Sequence, residues 1–396
     1  MQYDFNKSIE RVGTHSMKWD SDSAYAQGSV LPMWVADMDF ECPAPLVKAV
    51  RARAEHPVFG YAHLPAEFAG VTAGWVSRRH GWAIENDWVS FSPGVVPSIS
   101  AVIQTMTEPG EKVLIQPPVY YPFRNTIEGC GREVAASPLV RRQNRYEMDF
   151  EDLERKAADP AVRLMLLCNP HNPVARVYTR EELLRVGEIC RKYGVFVFSD
   201  EIHADFVMSG HRHIPFASLS AEFSQNAATA ISPSKTFNMA GLQASCMITE
   251  NEEVREKFQR QLKKNVQDMI SNFGLAAYLA AFSQCDDYCD QLRAYIEGNV
   301  RFVSETVRAR IPQLGVLEHE GTYLLWLDCR ALGLSPESLD RFFWEEAGLS
   351  LDSGHWFGRE GDGYMRLNLA CPRKTVEEAL IRLEKAVSRR FVPAHV

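Results

Sequence analysis

Several short polar segments end apolar runs of this chain and carry side chains that could do chemistry. They place a lysine between serines, an acidic pair after a run of apolar residues, an asparagine between prolines and an arginine among apolar neighbours. Because ligands of open α/β sheets bind outside the carboxyl ends of the strands, residues that follow an apolar run are the candidates for a site. The segments are SPGVVPS (92–98), CNPHNPV (168–174), FVFSDEIH (196–203), ISPSKTFN (231–238) and YMRLNLACPR (364–373).

Lys235 lies in ISPSKTFN, with Ser232 and Ser234 close by. A lysine shielded from water has a lowered pKa, and its neutral amine can act as a nucleophile or a base. Such a lysine could form an imine with a cofactor or bind a phosphate. The short pattern SxSK is also compatible with a Ser–Lys nucleophile of a hydrolase, so both interpretations stay open.

Asp200 and Glu201 end the apolar run of FVFSDEIH. Such a pair could hold magnesium in a Walker-type site, but the segment GxxxxGK[ST] that this site requires does not occur in the sequence. Asp200 is then expected to be a buried carboxylate opposite a cation, such as a protonated pyridine nitrogen. His203 could hydrogen-bond the same ligand or simply fill space.

Two other segments could bind further parts of a ligand. Gly94 allows a tight turn before a predicted helix that extends to about Thr107, and the backbone N–H groups of Val95 and Val96 would form an anion site at its start. A plain strand–helix turn is the alternative. Asn172 is held by two Asn-Pro pairs and offers donors and an acceptor, enough for a phenolate oxygen and a carboxylate together. A rigid turn without a ligand is the alternative.

Arg366 lies in the alternating segment YMRLN, which predicts a strand. A guanidinium group donates two parallel hydrogen bonds to a carboxylate, which suits the α-carboxylate of an amino acid better than a lysine does. The alternative is a surface arginine on a strand.

The elements that must position these residues follow from the apolar pattern. Six short runs are dense in apolar residues without polar alternation, which is typical of strands buried on both faces. Between two of them, Arg180–Tyr193 predicts an amphipathic helix with Leu183, Leu184, Ile189 and Cys190 on its inner face. This alternation predicts an α/β fold with a mostly parallel sheet and crossover helices. The runs are Trp88–Ser92, Lys112–Gln116, Arg163–Cys168, Val195–Ser199, Ala227–Ser232 and Gln243–Thr249.

A chain of 396 residues is long enough for about two domains. After about residue 290 the pattern changes to a long helix, Gln291–Arg310, followed by mixed strands and helices. We predict a large domain over residues 46–288 and a smaller α+β domain built from residues 1–45 and 289–396. The later predicted elements are Thr322–Asp328, Leu339–Glu346, Tyr364–Leu369 and Thr375–Arg389.

Composition narrows the class of protein. The net charge of −8 argues against a nucleic-acid or anionic membrane partner, which would need a basic surface. No stretch approaches the roughly 20 apolar residues of a membrane span, and the N-terminal residues do not resemble a secretory signal. The nine cysteines are scattered and complete no zinc pattern, so we expect no metal and reduced cysteines in a cytoplasmic protein.

Taken together, the motifs resemble those of fold-type-I enzymes that depend on pyridoxal 5'-phosphate (PLP), in the class I/II aminotransferase superfamily. The closest resemblance is to cystathionine β-lyase-like C–S lyases of the MalY/PatB type, and it runs over essentially the whole chain. The motifs that carry it are KWD (18–20), LPMWVADMDF (31–40), FGY (59–61), GVV (94–96), PPVYYPF (117–123), CNPHNPV (168–174), SDEIH (199–203), SKTFNMAGLQAS (234–245), EGTYLLW (320–326) and RLNLACPR (366–373).

The resemblance implies a fold and a role for each matching residue. The fold would be a mostly parallel, seven-stranded sheet in a large domain, with a smaller α+β domain beside it. Lys235 would carry PLP as a Schiff base and move the proton of the substrate Cα. Arg366 would bind the substrate carboxylate, with Asn172 beside it, and Tyr121 would lie next to the substrate. The other cofactor contacts would come from Val95, Val96, Tyr120, Asn172, Asp200, His203, Ser232, Ser234 and, from the neighbouring subunit of a homodimer, Tyr61.

Two positions depart from the wider family. Ala175 stands where the family usually has glycine, so the backbone there should either avoid positive φ or carry strain. His203 stands where many aminotransferases have a tyrosine, and the lyase branch shares this histidine.

Three functions remain possible from the sequence. The first is a C–S β-lyase that cleaves cystathionine or another cysteine S-conjugate to a thiol, pyruvate and ammonia. The second is an aminotransferase that needs a 2-oxo acid acceptor. The third is a regulator with the same fold and no catalytic activity, because a fold alone never determines a function.

Overall fold

The computed structural model describes residues 1–391, so the last five residues of the predicted small domain, 392–396, lie outside the described residues. Its strands are β1 Leu31–Pro32, β2 Val89–Ser92, β3 Lys112–Ile115, β4 Glu133–Ala136, β5 Val140–Arg142, β6 Arg145–Glu147, β7 Val162–Cys168, β8 Phe196–Asp200, β9 Ala227–Ile231, β10 Ser245–Ile248, β11 Gly315–Val316, β12 Leu324–Asp328, β13 Leu349–Ser350, β14 Asp352–Ser353 and β15 Tyr364–Asn368.

Fifteen α-helices surround these strands in the described part of the chain. They are α1 Met17–Asp20, α2 Ser23–Ala26, α3 Ala44–Glu55, α4 Ala66–His80, α5 Val95–Met106, α6 Pro122–Gly129, α7 Phe150–Ala157, α8 Arg180–Tyr193, α9 Ala221–Gln225, α10 Pro233–Thr236, α11 Glu252–Lys264, α12 Asn272–Gln284, α13 Asp286–Arg310, α14 Pro336–Arg341 and α15 Arg373–Phe391. Helix α8 has the predicted bounds, which are set by a capping box between Thr179 and Glu182 and by Gly194 in the left-handed conformation.

The largest sheet has seven strands in the order β2-β10-β9-β8-β7-β3-β4. Pairing is parallel from β9 to β4, whereas β10 is antiparallel to both of its neighbours, so the prediction of a mostly parallel α/β sheet is confirmed. Each of the six predicted runs forms a strand of this sheet. The seventh, β4, was not predicted because it lies at the edge, where its residues are partly exposed and form no continuous apolar run.

Both faces of this sheet are covered by helices. Alternate residues of one strand enter two different apolar clusters, as Leu164 and Leu166 do on one face and Met165 and Leu167 on the other. Helices α5, α6 and α11 contribute to the first cluster, and α4, α8 and α12 contribute to the second. Because both faces are buried, the strands need apolar residues at every position, which explains the pattern in the sequence.

A second, antiparallel sheet of four strands, in the order β11-β12-β15-β14, follows the long helix α13. The N-terminal segment reaches this region, because β1 pairs in parallel with β13. This pairing supports the predicted grouping of residues 1–45 with the C-terminal part, while the domain boundaries stay a prediction. The predicted helix Leu339–Glu346 begins earlier, as α14, and ends in a π-helical turn at Phe342–Glu346. Among residues 1–391, no helix combines the length and apolar character needed to cross a membrane.

Candidate active site

A cavity of about 210 Å³ lies where β7, β8 and β9 end and α5 begins. This is the edge at which a parallel sheet places its ligands. Nine of the residues predicted from the sequence line it, although they are distant from one another in the chain. They are Val95, Val96, Tyr120, Asn172, Asp200, His203, Ser232, Ser234 and Lys235.

Lys235 projects into the cavity from the short helix α10, which Ser232 caps by accepting a hydrogen bond from the backbone N–H of Ser234. The amine donates a hydrogen bond of 2.6 Å to the backbone carbonyl of Ala36. Burial, together with the positive charge of Arg366, lowers the pKa of Lys235 to about 8. At neutral pH a useful fraction of this amine is therefore unprotonated, as a base or nucleophile requires.

The serines near Lys235 bind each other instead of the amine. Ser232 Oγ is 2.8 Å from Ser234 Oγ and donates to the carbonyl of Ala244 at 2.9 Å. The Ser–Lys nucleophile considered from the sequence has no support in this arrangement, because neither hydroxyl is hydrogen-bonded to the lysine that would have to activate it.

Asp200 ends β8, and its Oδ1 accepts a hydrogen bond of 3.1 Å from the backbone N–H of Ile202. Burial raises the pKa of this carboxyl to about 7. A buried carboxylate of this kind is stabilised by a cationic partner, which would bring its pKa down again. His203 is also buried, and burial together with nearby positive charge holds its pKa well below the usual range. Its Nδ1 has no hydrogen-bond partner among the described residues.

The start of α5 leaves two backbone N–H groups available to an anion. The first helical hydrogen bond is donated by Ser98 N–H to the carbonyl of Gly94 at 3.1 Å, and Pro97 has no N–H to donate. The N–H groups of Val95 and Val96 are thus left without partners inside the helix, at a cavity wall that both residues line.

Tyr120 lines the adjacent wall, whereas Tyr121 is not among the lining residues and has its ring centroid 5.7 Å from that of Tyr120. The backbone N–H of Tyr120 donates to the carbonyl of Asn172 at 3.0 Å, which ties the aromatic segment to the asparagine segment. Burial raises the pKa of both Tyr120 and Tyr121, so these phenols stay neutral at physiological pH. The Tyr121 ring contacts Phe357, with ring centroids 5.6 Å apart.

Arg366 on β15 connects the second sheet to the cavity. Its Nη1 donates to Asn172 Oδ1 at 3.0 Å, and its Nη2 donates to the carbonyl of Trp34 at 3.1 Å and forms an ion pair with Asp352. The side chain is only 3% exposed, so the alternative of a surface arginine is wrong. The burial follows from its place on a strand of which every residue is buried.

Two other positions singled out from the sequence, Ala175 and Tyr61, are not among the residues that line the cavity. Ala175 has a φ of 58°, so the second of the two expectations holds: a non-glycine residue takes the left-handed conformation there and carries strain. Its carbonyl accepts hydrogen bonds from the N–H groups of Glu320 and Gly321. Tyr61 is 94% exposed and is not among the residues that line the cavity of its own chain.

Three residues near the site were not singled out from the sequence: Ala36, Asp352 and Tyr323. Ala36 contributes a backbone carbonyl, which accepts hydrogen bonds both from Lys235 and from the Tyr323 hydroxyl, the latter at 3.0 Å. A backbone acceptor has no signature in its side chain, and Asp352 is surrounded in the sequence by residues typical of a loop. The motif WVADMDF, which contains Ala36, and the motif EGTYLLW, which contains Tyr323, were the available signals for those two residues.

These groups fit PLP by their chemistry. The cavity wall provides backbone N–H groups and hydroxyls for a phosphate, a buried carboxylate for a ring nitrogen, an aromatic ring and an amine for an aldehyde. The unpartnered Nδ1 of His203 is a further polar atom that a ligand in the cavity could satisfy.

Residues 30–383 match the family described as aminotransferase class I and II. The chain belongs to that family. This assignment confirms the resemblance inferred from the motifs and the expected fold type I, whose seven-stranded sheet is the one described above.

Members of the aminotransferase class I and II family with assigned names resemble this chain over nearly its whole length. Cystathionine beta-lyase PatB of Bacillus subtilis is 42% identical over 97% of this chain and 100% of its own. Protein MalY of Escherichia coli is 33% identical over 97% of this chain and 99% of its own. Among solved structures, cystalysin of Treponema denticola, which contains PLP, superposes with a TM-score of 0.95 at 34% identity, covering 98% of this chain and 100% of that one.

Proposed function

We propose that this chain is a PLP-dependent C–S β-lyase that cleaves L-cystathionine or a related cysteine S-conjugate to a thiol, pyruvate and ammonia. The observation that carries the proposal is that a partly buried lysine of lowered pKa and a buried aspartate share one cavity, and that Asn172 in its wall is hydrogen-bonded to Arg366. Similarity to PatB over 97% of this chain and 100% of the PatB chain supports the choice of reaction.

Each residue of the cavity has a proposed role toward the cofactor. Lys235 would hold PLP, and the N–H groups of Val95 and Val96 would bind its phosphate with help from the hydroxyls of Ser232 and Ser234. Asp200 would pair with the ring nitrogen and keep it protonated. Contacts to the rest of the ring would come from Tyr120, Asn172 and His203.

When bound, PLP withdraws electrons from the substrate Cα, so that its proton becomes acidic and the bond from Cβ to sulfur can break. The chain supplies orientation and proton transfer. Arg366 and Asn172 bind the α-carboxylate and thereby fix the position of the Cα–H bond. Lys235 Nζ accepts the Cα proton, which its lowered pKa allows near neutral pH. Tyr121, which lies beside this site, would contact the substrate.

The neighbouring subunit is proposed to complete the site in a homodimer. An apolar patch of exposed side chains, Val58, Phe59 and Tyr61, is held in place by a hydrogen bond from Asn272 to the carbonyl of Gly60. These side chains are 61%, 59% and 94% exposed, which is typical of a surface that a second protein covers. In this arrangement Tyr61 would reach the cofactor phosphate of the partner. We also propose that the dimer is cytoplasmic and that its subunits have the two domains predicted above.

Mixing two inactive variants tests the shared site. In a dimer of one Tyr61→Ala chain and one Lys235→Ala chain, one of the two sites has an intact lysine from one chain and an intact tyrosine from the other. Activity should therefore rise after the variants are mixed and allowed to exchange. No rise, despite proven exchange of subunits, contradicts a site built from two chains, and a monomer in analytical ultracentrifugation contradicts the dimer itself.

The reaction is tested with purified enzyme, PLP and L-cystathionine in the absence of a 2-oxo acid. Thiol, pyruvate and ammonia should appear in equal amounts over many turnovers, because β-elimination returns the cofactor to its starting form. Transamination leaves the cofactor in the amine form and stops after one turnover per site. If cystathionine and simple S-alkyl cysteines release no thiol, and an added oxo acid sustains turnover, the aminotransferase alternative is correct. A chain inactive in both assays would fit the regulator.

A further inference from the structure

Asp352 and Arg366 form a buried ion pair at the edge of the candidate active site. They are direct register partners on the neighbouring antiparallel strands β14 and β15, and their side chains are 1% and 3% exposed. Asp352 Oδ2 contacts Arg366 Nη2. Asp352 Oδ1 and Arg366 Nε have no hydrogen-bond partner among the described residues.

The same guanidinium is the proposed binding group for the substrate carboxylate. A carboxylate ligand on Arg366 would place two negative charges on one cation in a buried site. An unneutralised charge in such surroundings costs free energy, and two carboxylates that share a site raise the pKa of one of them. The simplest way to remove the extra charge is to take one proton from solvent onto the carboxylate that remains inside the protein.

We propose that Asp352 takes up a proton when a carboxylate ligand binds to Arg366, and that it thereby sets the pH range in which the site accepts its substrate. This inference rests on the proposed function, which assigns the substrate carboxylate to Arg366. The protonation state of Asp352 thus controls the affinity of the site for a carboxylate, which binds tightly when Asp352 is protonated and weakly when it is charged.

Burial already raises the pKa of Asp352 in the ligand-free protein, although Arg366 opposes this effect. A second carboxylate raises that pKa further. Between the free and the bound pKa, binding takes up one proton, so the affinity falls by up to about tenfold for each unit of rising pH.

Proton uptake by Asp352 can be distinguished from proton uptake by the other titratable groups near the pair. Tyr120 and Tyr121 face it and stay neutral, because burial raises the pKa of both phenols. His203 also stays neutral, since burial and the positive charges of Lys235 and Arg366 hold its pKa far below the usual range. Lys235 and Asp200 lie at the cofactor, so their proton changes alter its visible absorbance. The strand neighbour Ser353 contacts Nδ1 of the exposed His355 at 2.9 Å, which a His355→Gln control addresses.

The test uses the PLP-loaded enzyme and 3-(methylthio)propanoate, a thioether carboxylate that has no amine to react with the cofactor. Calorimetric titrations in buffers with different ionisation enthalpies count the protons taken up, and absorbance changes count those at the cofactor. The wild-type and H355Q proteins should take up about one proton beyond those counted at the cofactor, and their Kd should rise by up to about tenfold per pH unit between the free and the bound pKa of Asp352.

The isosteric variant Asp352→Asn should bind the ligand without this proton and with a Kd that is independent of pH over the same range. At the upper end of that range it should bind at least about tenfold tighter than the wild type. Asp352→Ser, which is smaller, serves the same purpose if D352N does not fold. The inference is overturned if the wild type takes up no such proton, if the variants keep it, or if they bind more weakly at every pH.

Arg366→Lys separates this inference from the proposed function. If R366K loses affinity for the ligand but binding to the wild type does not depend on pH, only the role proposed for Asp352 is wrong. Equal affinity of R366K and the wild type removes Arg366 from the carboxylate site, and the inference on Asp352 falls with it.

Discussion

The amine of Lys235 and the backbone carbonyl of Ala36 are joined by a hydrogen bond of 2.6 Å although 199 positions separate them in the chain. A carbonyl oxygen can only accept, so the amine is the donor of this hydrogen bond. The same oxygen accepts a hydrogen bond from Tyr323. The Ala36 oxygen therefore connects three parts of the chain. They are the N-terminal segment that contains it, Lys235 at the carboxyl end of the seven-stranded sheet, and Tyr323 in the C-terminal region.

Replacement of Lys235 by alanine should abolish the visible absorbance of the bound cofactor and the activity together. Borohydride reduction of the wild type followed by peptide mapping should place the pyridoxyl group on the peptide that contains Lys235. Lys257→Ala, which removes a surface lysine paired with Glu253, is the matched control and should keep both properties. A pyridoxyl group on any other lysine contradicts the assignment.

Asp200→Asn should slow turnover by orders of magnitude and weaken the retention of PLP. An amide has the shape of the carboxylate but no charge, so it cannot keep a pyridine nitrogen protonated. The measurements are kcat with L-cystathionine and the rate of cofactor loss on dilution. Glu201→Gln is the neighbouring control for retention, since Glu201 points away to His213 at 2.8 Å. Unchanged kcat at full occupancy in D200N would exclude the pairing.

Ala175→Gly should leave stability unchanged or raise the free energy of unfolding by up to about 1 kcal/mol. At a φ of 58° a Cβ atom costs about 1–2 kcal/mol, which exceeds the entropy that glycine adds to the unfolded chain. Ala228→Gly in β9, which is equally buried in an ordinary strand, should lower stability instead. Thermal unfolding of the two variants beside the wild type decides the matter, and a loss of equal size in both would show that Ala175 is not strained.

His171 should make the protein sensitive to acid. Its Nε2 donates to the carbonyl of Pro118 at 2.9 Å, so its Nδ1 accepts from the Tyr178 hydroxyl at 2.8 Å, and the ring is neutral. Burial lowers the pKa of His171 to about 4. The unfolded chain therefore binds a proton at this histidine below about pH 6.5, whereas the folded protein binds it only near about pH 4. The free energy of unfolding falls as the pH drops through this range.

Urea unfolding of the wild type at about pH 7, 6 and 5 should show this loss, with about 1.4 kcal/mol per pH unit due to His171 below its unfolded pKa. His171→Gln offers an amide donor and acceptor without the titration, so its stability should fall less steeply. His56→Gln changes an exposed histidine and should keep the wild-type slope. Parallel slopes for the wild type and H171Q would rule out the neutral ring as the cause.

Much of the fold could be predicted from local patterns. Runs such as Arg163–Cys168 and Ala227–Ser232 consist of residues that suit a strand buried on both faces, and Arg180–Tyr193 contains its own cap and apolar stripe. The edge strand Glu133–Ala136 escaped this reasoning, because a strand with partly exposed residues has no distinctive apolar run. The bounds of α13 and β12 were off by a few residues for a similar reason: capping and pairing, which decide where elements end, depend on contacts.

By itself the sequence determined which residues could do chemistry and the end of which strand each one follows, because residue type and apolar periodicity are local properties. Nine of the predicted residues indeed line one cavity. Only the tertiary structure decided that Arg366 is buried, that Asp352 shares its guanidinium and that Ala36 holds the amine of Lys235. Each of these depends on the register of two strands or on a backbone atom brought from a distant part of the chain. Such pairings are set by the packing of the whole molecule, so the type of a residue does not predict them.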